Sequence, residues 1–106
     1  MRAYIGSIFL FAGNFAPMDW AFCRGQLLNI AEYETLFNVI GTTYGGDGES
    51  TFALPDYRGR VVAGASTDKP LGSQSEYPAA ETEGHAQHTL RLNYIICLNG
   101  IYPSQS

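Results

Sequence analysis

Four groups of side chains in this 106-residue chain have types and spacings that could do chemistry. They are the run Gly45-Gly46-Asp47-Gly48 with Glu49 after it, the string Pro55-Asp56-Tyr57-Arg58-Gly59-Arg60, the pair His85 and His88, and the cysteines Cys23 and Cys97. A glycine-rich run can cradle a phosphate, but a phosphate loop is followed by Lys-Ser or Lys-Thr and opens a helix, whereas this run is followed by Glu-Ser and leaves one. Asp47 and Glu49 offer carboxylates to calcium, yet the run lacks the regularly spaced oxygen ligands of an EF-hand. What remains is a turn with positive-φ glycines and local hydrogen bonds to Asp47. In the second string, Asp56 is placed to pair with Arg58 or Arg60 or to cap backbone amides after the proline. General acid or base catalysis by Asp56 would need a second acid or base, and the sequence defines none.

His85 and His88 stand three apart, so on a strand they face opposite sides, and one ion could take both only on a turn or helix. Otherwise they are loop histidines titrating near neutral pH. Each cysteine lies in an apolar setting (AFCRG and IICLN), which reads as two reduced, buried thiols; their spacing fits no zinc motif. No nucleophile with a positioned base and no G-x-S-x-G elbow is present, so the chain does not read as an enzyme, and no cofactor is expected.

The elements that must position these residues follow from patterning. Residues 2–11 are mostly aliphatic or aromatic and predict an opening strand, closed by the turn Gly13-Asn14. Residues 20–23 and 26–30 read as a small antiparallel hairpin turning at Arg24-Gly25. Tyr33, Leu36, Phe37 and Ile40 fall at i, i+3, i+4 and i+7, one apolar face of a helix that ends at Gly41. Its start has two readings: a cap at Asn29 with Glu32 reaching back and Leu28 stapled to Tyr33, or a start nearer residue 31. Residues 44–48 form a loop, 51–54 a short extended piece, 59–65 a resumed strand and 92–98 the last strand. Phe9 and Phe11 share a strand face and are expected to fill the core, while Trp20 and Tyr57 are the rings left open for stacking on a sugar.

Composition bounds the rest. With 45% hydrophobic and 15% charged residues, against about 25% charged in an average soluble domain, the surface must be neutral enough to favour self-association. The formal charge of -4 and only six Lys and Arg supply no positive stripe for a phosphate backbone, which argues against nucleic acid. No apolar run reaches the ~18 to 20 residues of a membrane span, and the first residues read as a strand of the mature fold without a cleaved signal peptide. Residues 66–88 shift to Ser, Thr, Gly, Pro, Glu and Gln and mark a polar loop within one domain spanning residues 1–106. The fold expected is therefore a small, β-rich α+β domain with one amphipathic helix and long glycine-rich loops.

Residues 42–60, TTYGGDGESTFALPDYRGR, resemble the signature of the phage tail collar domain. Residues 6–26 (GSIFLFAGNFAPMDWAFCRGQ) and 92–103 (LNYIICLNGIYP) resemble the same family in the expected order. That family includes short tail-fibre proteins of bacteriophages and small bacterial proteins of the microcystin-dependent type. The resemblance implies an assembly or adhesion module and does not imply catalysis, and it makes Gly45, Gly46, Asp47, Gly48, Pro55, Asp56, Arg58, Gly59 and Arg60 a structural motif. It also implies a trimer, with a hexamer or stacked filament behind it. In some tail-fibre relatives a His-x-His pair from three chains surrounds a metal on the symmetry axis. His85 and His88 depart from that spacing by one residue, and the expectation carried over is a divalent metal shared between subunits.

The function expected is a self-assembling structural module of a phage tail or phage-derived particle, made in the bacterial cytoplasm and docking on itself or on other particle proteins. The alternative is a lectin-like adhesin whose loop 66–88 meets a cell-surface glycan through Gln74, Tyr77 and Gln87. Hydrolysis in a cleft built from distant residues is a third class, open to a glycosidase screen with divalent metals.

Overall fold

Among the described residues six short elements follow in order: β1 (Ile8–Phe11), β2 (Trp20–Phe22), β3 (Leu27–Asn29), α1 (Glu34–Ile40), β4 (Thr51–Ala53) and β5 (Asn93–Cys97). They come from a computed structural model in which residues 3–76 and 88–105 are described. Two antiparallel sheets result, one ordered β1-β5-β2 and one made of β3 and β4. Two sheets with a single short helix make a small α+β fold. The last strand takes the centre of the first sheet because Ile95, Ile96 and Cys97 form a continuous apolar run that must be covered on both faces. Among the described residues no helix is long and apolar enough to cross a membrane.

The register divides the first sheet into two faces. Ile8, Ile96 and Ala21 lie side by side on one, and Phe9, Ile95 and Phe22 on the other. The first face looks onto the core, where Ile5, Cys23, Leu36, Phe52, Leu54 and Ile96 pack together. Phe9 and Phe11 therefore do not fill the core as the alternation led us to expect. They stand on the outer face, where Phe9 meets Trp20 at 5.1 Å between ring centroids and Phe11 meets Phe15 at 6.2 Å. Period-two alternation tells which residues share a face but not which face turns inward, and here Ile8 wins the inward position.

The expected hairpin between residues 20–23 and 26–30 is absent, since β2 pairs with β5 and β3 with β4. The Gln26 side chain takes the groups a hairpin ladder would have used, accepting from the Arg24 amide at 3.0 Å and donating to the Phe22 carbonyl at 2.8 Å. Gly25, at a φ of 74°, then passes the chain from one sheet to the other. The strand expected over residues 59–65 is also absent. Those residues have no ladder partner among the described residues, and Val61 and Val62 stay exposed; β-branched side chains favour a strand only where a neighbouring strand exists to pack against. The opening strand is shorter than expected as well, because Gly6 at a φ of 91° interrupts it and Ile5 instead donates to the Ile101 carbonyl.

Helix α1 sets Leu36 fully into the core, with Tyr33, Phe37 and Ile40 partly buried beside it, as the spacing predicts. It starts later than either reading of the sequence. Tyr33 caps it without a side-chain hydrogen bond, while Asn29 and Glu32 bond to each other at 2.9 Å in the turn before it. Gly41 ends it at a φ of 56°, its amide donating to the Phe37 carbonyl.

Candidate functional site

The β3–β4 ladder carries a polar clamp at each end. Around the three paired positions, further backbone bonds join Ile30 to Ser50 at one end, and an isolated bridge joins Arg24 to Asp56 at the other. At the first end the Asp47 carboxylate closes the glycine-rich loop. Its Oδ1 accepts from the amides of Glu49, Ser50 and Thr51 at 2.8, 2.9 and 3.0 Å, and its Oδ2 accepts from the Ser50 hydroxyl at 3.2 Å. Those amides, Ser50 first, hold the carboxyl well below the usual carboxylate range. With Oδ1 taken by three backbone donors, Asp47 organises a turn. Gly46 has to be glycine: its φ is 94°, and a Cβ there would collide with the Phe52 backbone.

At the other end Asp56 and Arg58 form a two-bond pair, Nε to Oδ1 at 2.9 Å and Nη2 to Oδ2 at 2.8 Å. Asp56 also accepts from the Arg58 amide, and Arg58 Nη2 donates to the Arg24 carbonyl at 3.1 Å, tying this turn to the end of β2. The Arg58 guanidinium holds the Asp56 carboxyl well below its usual range, and Arg60 adds a weaker, purely coulombic effect. Arg24 lies over the Phe22 ring, 4.3 Å from its centroid.

Both cysteines are buried and unpaired. Burial, with the Asp56 carboxylate adding to it, pushes the Cys23 thiol up to about 12, so it stays protonated and unreactive at neutral pH. Among the described residues no three His, Cys, Asp or Glu side chains converge as a metal site would require. Gln74 and His88 are exposed, and residues 58–76 are exposed throughout. Tyr77, His85 and Gln87, the other residues proposed for glycan or metal, lie outside the described residues.

Sequence reasoning missed a concavity beside the first sheet. An open groove of about 600 Å³ is lined by Ile8, Phe9, Leu10, Tyr57, Val62 and Tyr94. Tyr57 and Tyr94 stack at 4.9 Å between centroids with a 44° tilt and together form one wall of this groove. Leu10 and Val62 are each more than half exposed. The signal was present in the unbroken apolar stretch IFLF, which leaves no polar position to mark a solvent face. The basic Arg24–Arg58 turn adjoins this groove, for a small cleft lined by Arg24, Arg58 and Asn93 shares the walls Tyr57 and Tyr94.

The family model described as the phage tail collar domain matches residues 6–62, a span running from the residues before β1 through both polar clamps to the Val62 wall of the groove. No curated protein matches the chain. With more than half of its residues inside that one match, the chain belongs to the phage tail collar domain family, a structural family of phage tails.

Proposed function

We propose that this chain is a self-assembling structural module of a phage tail or phage-derived particle, acting by surface complementarity with no catalytic step. The observation that supports this reading is the uncovered apolar surface of the first sheet. Strand β1 is an edge strand, its Leu10 is 56% exposed, and the groove beside it is walled by apolar and aromatic side chains. A lone monomer gains nothing by keeping such a surface wet, whereas a second subunit would bury it. The trimer of the sequence reading remains the preferred state, with the whole chain as one module.

The test is absolute mass by light scattering after size exclusion, with and without a chelator. The expected result is a trimer or a multiple of three. A monomer at all concentrations would overturn self-assembly. Dissociation by chelator would support a divalent metal at His85 and His88 between subunits, and assembly indifferent to chelator would remove it.

The adhesin reading draws on one observation, the uninterrupted exposure of residues 58–76, which leaves Gln74 in reach of a ligand. Replacing Gln74, Tyr77 and Gln87 together with alanine is expected to abolish glycan-array binding while leaving the mass unchanged. Glycan binding that survives all three changes would remove this site.

A further inference from the structure

The two ends of the β3–β4 ladder carry opposite charge. From the Arg24–Asp56 bridge to the Ile30–Ser50 bond the ladder spans six residue steps, about 20 Å at the rise of an extended strand. At the Ile30–Ser50 end stand Glu32, Glu34, Asp47 and Glu49, all exposed, with no basic residue between positions 25 and 57 to offset them. At the other end stand Arg24, Arg58 and Arg60, also exposed. Asp56 neutralises Arg58 there, and among the described residues Arg24 and Arg60 enter no ion pair. The chain as a whole is acidic, so this basic end is a local reversal of the surrounding field, and it borders the apolar groove through the shared walls Tyr57 and Tyr94.

We propose that the groove and its basic rim dock a second copy of this chain head to tail, through the acidic turn and loop around Glu32 and Glu49. Charge complementarity selects this occupant. A two-fold contact of the basic rim with itself would set Arg24 and Arg60 against their own copies, and the acidic end would repel itself likewise. Acidic end on basic rim removes both repulsions and covers Leu10 and Val62, the exposed groove residues. A contact of this kind is heterologous, so repetition closes into a ring if the rotation between copies allows it and otherwise extends as a filament. The inference rests on the self-assembly reading and adds to it the surface used and the polarity of the contact.

Charge reversal tests it. Variant one carries Arg24→Glu and Arg60→Glu; variant two carries Glu32→Lys and Glu49→Lys; all four positions are exposed, and circular dichroism checks that each variant folds. Sedimentation velocity is run on the wild type, both variants and the chain combining all four substitutions at about 50 mM and about 500 mM salt, where screening lengths differ severalfold. The expected results are wild-type assembly that weakens with salt, assembly at least roughly tenfold weaker in each variant alone, and recovery when all four substitutions are combined in one chain, because every contact of a ring of any size is then charge-reversed and complementary. Variants that assemble like the wild type, or a combined four-substitution chain that does not recover assembly, would overturn the head-to-tail contact. A third variant, Leu10→Asp, separates the two levels. If it alone blocks assembly, self-assembly through the groove stands and the charged polarity fails, whereas a wild type that is monomeric throughout overturns both.

Discussion

Two residues fix most of the glycine-rich loop, one by having no side chain and one by the bonds its side chain makes. Gly46 sits at positive φ against the Phe52 backbone, so Gly46→Ala combines backbone strain with a clash that no rotamer can relieve. It is expected to cost at least about 2 kcal/mol in urea unfolding, against about 1 kcal/mol for Gly59→Ala, where φ is also positive but nothing lies within 4 Å. Equal costs at the two sites would mean that the contact with β4 is not tight. Titration acts on the same scale. The Asp47 and Asp56 carboxyls are depressed in the folded chain, so they stabilise it fully above the unfolded carboxylate value near ~4, and that contribution is lost as pH falls toward their folded values. The Cys23 thiol is raised, so its contribution is present below its unfolded value near ~8.5 and is lost as pH climbs toward about 12. Urea midpoints measured against pH should therefore form a plateau from about 5 to 8 and fall on both sides, with Asp47→Asn flattening the acid limb. An acid limb unchanged in that variant would place the titration elsewhere.

At the scale of elements, helix α1 is held by one face. Leu36 is completely buried against Phe52 and Ile96 in the core, whereas Val39, three positions on, is 37% exposed. Leu36→Ala is expected to destabilise by about 3 kcal/mol and Val39→Ala by less than about 1 kcal/mol, read as shifts in thermal or urea midpoints. The helical face, the glycine stop at Gly41, the loop over residues 44–48 and the strands at Thr51–Ala53 and Asn93–Cys97 were all legible, because each depends on local spacing or on one residue's backbone freedom. The pairing of β2 and β3 was not. A hairpin and a crossover between sheets both begin with a short strand and a glycine turn, and here the Gln26 side chain, bonded across the turn, decides between them. The missing strand over residues 59–65 has the same origin, for propensity supplies one strand and a ladder takes two.

For the whole molecule the decisive feature is the contrast between a well-covered core and the exposed stretch of residues 58–76. Trypsin is expected to cut at Arg60 before Arg24, because Arg24 lies in a bridged and ring-stacked position while Arg60 sits in a segment without helix or strand. Mass spectrometry of a short digestion reads the order, and first cleavage at Arg24 would contradict this ranking. Protection of Arg60 in the assembled protein, lost on dilution, would add support for the groove as the subunit contact.

The sequence by itself determined the family resemblance over residues 6–26 and 42–60, both inside the span that the collar model matches, together with the α+β class and the role of glycine in the loop. It determined these because motif spacing, periodicity and backbone freedom are local properties of the chain. Only the tertiary structure decided which face of β1 turns inward, that β5 separates β1 from β2, and that opposite charges collect at the two ends of one ladder beside an apolar groove. Arg24 and Arg60 lie 36 positions apart, as Tyr57 and Tyr94 lie 37 apart, and no local pattern records neighbours that only chain folding brings together.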